Sequence, residues 1–134
     1  MDVLEFLEKE WVKPFEWGWT DCGTTADRWC QIVLGFSPMQ RFGRVVTDEA
    51  SGREWISERG GLLRGSRDVL TRAGAQRVKG EPRAGNIGVV VVDNRACIAI
   101  YNGELWCSRD DDGFIVANDT YRLIAWEIET CLSR

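Results

Sequence analysis

Pro14-Phe15-Glu16-Trp17-Gly18-Trp19-Thr20-Asp21-Cys22-Gly23 sets a cysteine at the junction between a turn-forming run and a helical pattern. Pro14 ends whatever precedes it, and the Trp-Gly-Trp run makes a turn. Thr20 or Asp21 is placed to cap a helix running from about Cys22 to Leu34. Ala26, Trp29, Cys30 and Val33 share one face of that helix, and Gly35 stops it. A thiol at a helix N-terminus meets orphan N–H groups and the positive end of the macrodipole, which favour thiolate. Cysteine catalysis normally also needs an imidazole to take and return a proton. The chain of 134 residues contains no histidine.

Upstream, Val3, Leu4, Leu7 and Trp11 fall on one face of a short amphipathic helix over residues 2–11. Downstream, Phe36 to Val46 reads as a loop. A third helix is expected from Thr47 or Asp48 to Arg59, ended by Gly60-Gly61, and a fourth from Leu62 to Ala73, ended by Gly74. Both carry charge at helical spacing and read as peripheral. After residue 80 the pattern changes to short β-branched runs. Ile87–Val92 and Ala96–Tyr101 flank an Asp93-Asn94 turn, and Asn102-Gly103 signals a further hairpin. Leu105–Ser108, Phe114–Ala117 and Leu123–Ile128 complete an antiparallel meander. Helices first and strands afterwards predict an α+β fold. One domain over residues 1–134 is expected, its core about 10–128, with a loose tail from Thr130 to Arg134.

Composition narrows the function classes. Hydrophobic residues make up 44% and charged residues 28%, which is ordinary globular usage and argues against extended disorder. The 17 basic and 21 acidic residues leave a net charge of -4, so there is no basic footprint for nucleic acid. Asp110-Asp111-Asp112-Gly113 reads as a solvated turn, lacking the alternating ligands and distant glutamate of a calcium loop. Seven tryptophans read mainly as packing residues, some of them as interface anchors. The five cysteines (22, 30, 97, 107 and 131) show no C-x-x-C pair, which argues against a zinc site and against a bound cofactor of that kind. No secretory leader and no membrane span are predicted, and synthesis in a reducing cytoplasm with free thiols is the default.

The order of motifs resembles the NlpC-type cell-wall peptidases of the papain-like superfamily, in particular a phage-encoded branch of unknown function. The resemblance is carried by Pro14-Phe15-x-Trp17-Gly18-x-x-Asp21-Cys22, then Gly60-Gly61, Gly85-Asn86-Ile87-Gly88-Val89-Val90, Cys97-Ile98-Ala99-Ile100-Tyr101-Asn102-Gly103 and Ala125-Trp126-Glu127. It spans roughly residues 10 to 128. In active members the Asp-Cys pair supplies the nucleophile at the start of a helix packed on a sheet. A Gly-Asp strand follows, and then a strand reading H-V-G-I-Y-x-G whose histidine is the base. The resemblance therefore implies Cys22 at the nucleophile position, Cys97 at that of the missing histidine, and Asn86 in place of the aspartate.

A general base contributes ~100- to 10,000-fold in rate, and the same group protonates the leaving amine. Neither Cys97 nor Asn86 fills both roles near neutral pH. The expectation is a pseudoenzyme: a virion component of the distal tail or tail tip, made in the bacterial host cytoplasm. Its partners would be other phage tail proteins and peptidoglycan. The alternative is an active Cys22-dependent peptidoglycan peptidase or amidase that aids wall penetration during genome delivery. In that reading Asp21 is a local acid or positioning group, or a partner chain lends a histidine. A third reading, with less behind it, has Cys22 and Cys97 forming a disulfide or holding a soft metal. Each residue also has a plain structural reading. Cys22 and Cys97 are then small buried hydrophobes, Asp21 a helix cap, and Asn86 a local hydrogen-bonding group at a strand start.

Overall fold

A computed structural model of the chain describes residues 1–43, 46–58 and 61–129. Gly60, Cys131 and the expected tail lie outside the described residues. The first half is helical: α1 (Val3–Trp11), α2 (Cys22–Leu34), α3 (Pro38–Phe42), α4 (Glu49–Glu58) and α5 (Leu62–Arg72). The second half supplies β1 (Gln76–Arg77), β2 (Ile87–Val92), β3 (Arg95–Tyr101), β4 (Trp106–Asp110) and β5 (Gly113–Ala117). A 3-10 turn over Asp119–Tyr121 and β6 (Arg122–Glu127) complete it. The six strands form one antiparallel sheet in the order β1-β6-β2-β3-β4-β5. The fold is α+β, with N-terminal helices against a C-terminal antiparallel sheet.

Local chemistry sets most element ends. The Asp21 side chain caps α2, and Gly35 closes it in the left-handed region at φ 83°. The β2–β3 hairpin turns on Asp93 and Asn94, both at positive φ (51° and 64°), which matches the right-handed twist of the flanking strands. Asn102 closes the next hairpin differently. Its side-chain oxygen accepts from the Glu104 and Leu105 amides, both at 2.8 Å, so the link from β3 to β4 is a four-residue loop over 102–105.

The main core lies between the helices and one sheet face. Phe6 and Leu7 of α1, Ala26, Trp29 and Cys30 of α2, and Leu62, Val69 and Leu70 of α5 meet Ile87, Val89, Ile98, Ile100, Ile124 and Trp126. Side chains alternate along a strand. Val90, Cys97, Ala99, Trp106 and Ala125 accordingly form a smaller cluster on the opposite face.

Four expectations need correction. Phe36–Val46 is not all loop, because Ser37 caps the Gln40 amide at 3.0 Å and Pro38 starts α3. The third and fourth helices are not peripheral, since Trp55 of α4 and three residues of α5 enter the core. Phe6 and Glu10, rather than Leu4, share the buried side of α1 with Val3 and Leu7. The strands are not a simple meander. β6 passes back across the sheet to pair with β2, with an irregularity between Val89 and Val90. Pairing of this kind is non-local and leaves no mark in any short window of sequence.

Candidate functional site

The turn ahead of Cys22 is fixed by two polar side chains. Thr20, fully buried, donates its hydroxyl to the Pro14 carbonyl and accepts from the Glu16 amide, both at 2.7 Å. Asp21 spends both carboxylate oxygens on backbone amides, Gly18 at 2.7 Å and Thr24 at 2.9 Å. Gly18 sits at φ 85°, and a Cβ there would lie 2.7 Å from the Thr47 backbone. That glycine lets the Trp17 turn close against the segment leading into α4. Trp29 anchors the far side of α2, donating its indole N–H to the Gly85 carbonyl at 2.9 Å.

Cys22 follows as the first residue of α2 and lines a cavity of about 220 Å³. Phe15, Trp17 and Asp21 come from the turn, Gly52, Arg53 and Trp55 from α4, and Arg95, Cys97, Arg109, Asp110 and Asp111 from the sheet and its turn. The structure thus brings Asp21, Cys22 and Cys97 to one cavity. It keeps Asn86 away. Asn86 accepts from the Arg83 amide at 2.7 Å through its side chain, and its carbonyl accepts from the Tyr101 amide at 3.0 Å. Tyr101 and Cys97 are four residues apart along β3, about 14 Å at the rise of an antiparallel strand. Asn86 shapes a strand start and does not line the cavity.

The charge state of Cys22 also differs from the sequence expectation. Cys22 as a residue is partly exposed, but its thiol is desolvated and its pKa is pushed from 9.0 up to about 12. Burial is the largest cause, and charge on Cys97 and Asp21 adds to it. The Ile98 and Gly23 amides pull the other way and lose. Asp21 takes up the α2 capping position and accepts the Thr24 amide there, so a carboxylate already occupies the helix end whose field should favour thiolate. At pH 7 the Cys22 thiol is therefore held in its protonated form. Cys97 is raised as well, first by burial and then by Asp110. Cys22, Cys30, Cys97 and Cys107 are all free thiols.

The acidic side chains of the cavity have work elsewhere. Arg95 holds Asp110 at 2.9 Å, Asp111 at 3.5 Å and Asp112 at 3.0 Å, which pins the tip of the β4–β5 hairpin. Arg53 lies 3.8 Å from Asp111. The three aspartates cluster closely enough to share a cation, but Arg95 already supplies their counter-charge. None is a spare base beside Cys22.

No motif in the sequence singles out Trp55 or Arg109. Trp55 sits in a helix whose surface charge suggested solvent, and Arg109 in a strand of five residues. Neither spacing marks a site, because the cavity is assembled from turn, helix and sheet at once.

The fold and this cavity define an α+β protein with a protonated thiol pair at the mouth of its first long helix. Residues 2–128 match the family described as a domain of unknown function (DUF6950), and the chain belongs to that family. No curated protein and no solved structure matches it. No helix among the described residues is long and apolar enough to cross a membrane.

Proposed function

We propose that the protein is a non-catalytic member of the papain-like, NlpC-type fold, serving in a phage tail as a structural or wall-contacting component. One observation carries the loss of catalysis: among the described residues, Cys22 shares its cavity with Cys97 and with no group free to move a proton. Asp21 is committed to two amides, and Asp110 and Asp111 to Arg95. A nucleophile that is almost wholly protonated, with no acid for the leaving amine, does not cleave amides efficiently. The motif order from Pro14 to Trp126 supports the fold family. The tail location, the host cytoplasm as the place of synthesis, and tail proteins and peptidoglycan as partners follow from that resemblance.

The second reading is a Cys22-dependent peptidoglycan peptidase or amidase. It is favoured by the partial exposure of Cys22 beside an accessible cavity. Incubation of the purified chain with peptidoglycan, followed by mass spectrometry of the soluble products, separates the two. The expected result is no muropeptide release beyond that of Cys22→Ala. Release that depends on Cys22 would establish the second reading instead.

A further inference from the structure

The sheet ends on an edge strand without the usual protection. β5 pairs with β4 on one side and, among the described residues, with no strand on the other. The opposite edge strand, β1, is only two residues long. β5 runs Gly113-Phe114-Ile115-Val116-Ala117, with no charge, no proline and no shift of register against β4. It thus lacks the devices by which sheet edges are normally blunted. The Asn102 amide bonds the Leu105 carbonyl, so Leu105 and Cys107 turn their peptide groups toward β3. Trp106, Ser108 and Asp110 turn theirs toward Ala117, Ile115 and Gly113 of β5. The amides and carbonyls of Phe114 and Val116 therefore point away from the sheet. Their side chains are exposed as well, Phe114 by 56% and Val116 by 63%, whereas Ile115 packs on the other face against the smaller core. The Trp11 ring at 5.2 Å and the Arg109 guanidinium at 4.9 Å hold Phe114 in place.

We propose that β5 pairs with β5 of a second copy of this chain, antiparallel about a two-fold axis through Ile115, joining the two sheets edge to edge. The strand is self-complementary in bonding, in shape and in charge. Its outward peptide groups lie symmetrically about Ile115, so Phe114 of each copy meets Val116 of the other as a bonded pair. An axis between two residues would set opposite faces against each other. An axis at Phe114 or Val116 would leave part of the strand unpaired. In the Ile115 register each exposed phenyl ring lies beside a β-branched side chain, a favourable cross-strand pair. No charge opposes the contact within the strand. Beyond its ends the register carries Asp111 toward Asp119 of the other copy, and each already has an arginine partner, Arg95 and Arg122. Pairing with an unrelated strand would require none of this symmetry. The inference goes beyond the function proposed above and does not depend on Cys22.

The test is sedimentation equilibrium of the full chain, joined to amide exchange read by NMR. From about 5 to about 500 µM the chain should pass reversibly from monomer to dimer, a weak association in keeping with a small interface. The Phe114 and Val116 amides should exchange several-fold more slowly in concentrated than in dilute protein, while that of Ile115, already bonded to β4, should change little. Val116→Lys places a charge on the exposed edge. Val116→Pro removes an outward amide and spares the β4 ladder. Each should keep the fold and weaken dimerisation at least about 10-fold, and Val116→Lys decides if the proline variant does not fold. A chain that stays monomeric throughout, growth beyond the dimer, slowing at Ile115 rather than at its neighbours, or a dimer that survives Val116→Lys would each overturn the proposal.

Discussion

The Cys22 sulfur is held protonated by its surroundings more than by its position in the chain. A helix N-terminus favours thiolate by a fraction of what full desolvation takes away, and Asp21 adds a negative charge next door. Iodoacetamide labelling of Cys22 should therefore keep rising with pH beyond 10, with no plateau near the ordinary thiol value. A plateau near pH 8 would contradict the buried, protonated thiol. Asp21 itself is worth testing through stability. Asp21→Ala removes two hydrogen bonds to amides that bracket Cys22, and should cost about 1–2 kcal/mol in urea denaturation. Asp21→Asn, which keeps an accepting oxygen, should recover part of that loss. If Asp21 instead acted as a proton donor to substrate, Asn would be as damaging as Ala to any activity while restoring stability.

Helix α2 was legible from the sequence to the residue, because its ends are local events: an aspartate cap and a left-handed glycine. The β2–β3 hairpin was legible for the same reason, through an Asp-Asn turn between β-branched runs. What escaped is pairing at a distance. The return of β6 to β2 depends on contacts across some thirty-five positions, and no local signal encodes it. The cavity shows the same division. Asp21 and Cys22 could be read from the turn and Cys97 from the resemblance, whereas Trp55 and Arg109 acquire meaning only when α4 and β4 are brought to α2. Gly88 marks where that tertiary fit is tight: a Cβ would lie 2.8 Å from the Trp106 ring and 3.0 Å from the Ile124 carbonyl. Gly88→Ala should cost about 1–3 kcal/mol by overpacking the smaller core, read as a lowered urea midpoint.

The fold as a whole should be squeezed by pH from both sides. Burial alone would raise the Glu10 pKa, but its hydrogen bonds to Arg28 and Lys13 and their charges outweigh this and leave it below the model-peptide value of 4.5. Below pH 4.5 the unfolded chain then takes up a proton before the folded one, so stability falls as pH falls, and Glu10→Gln should flatten that acid limb. Cys22 acts at the other end. Between its ordinary value of 9.0 and about 12 the unfolded chain has released a proton that the folded one keeps, so stability falls as pH rises. Cys97 and Cys107, raised by burial, act in the same sense, so Cys22→Ala should lessen that slope without abolishing it in urea midpoints measured from pH 8 to 11.

The place of β6 has a consequence for how the protein comes into being. It is the last of the described strands along the chain, yet it lies between β1 and β2, one place in from the edge of the six-stranded sheet. Until it arrives, β2 offers a row of unpaired backbone groups beside an apolar face, the kind of edge on which nascent chains associate. The order of synthesis and the order of burial therefore disagree. The sheet is completed only when β6 is added against the waiting edge of β2.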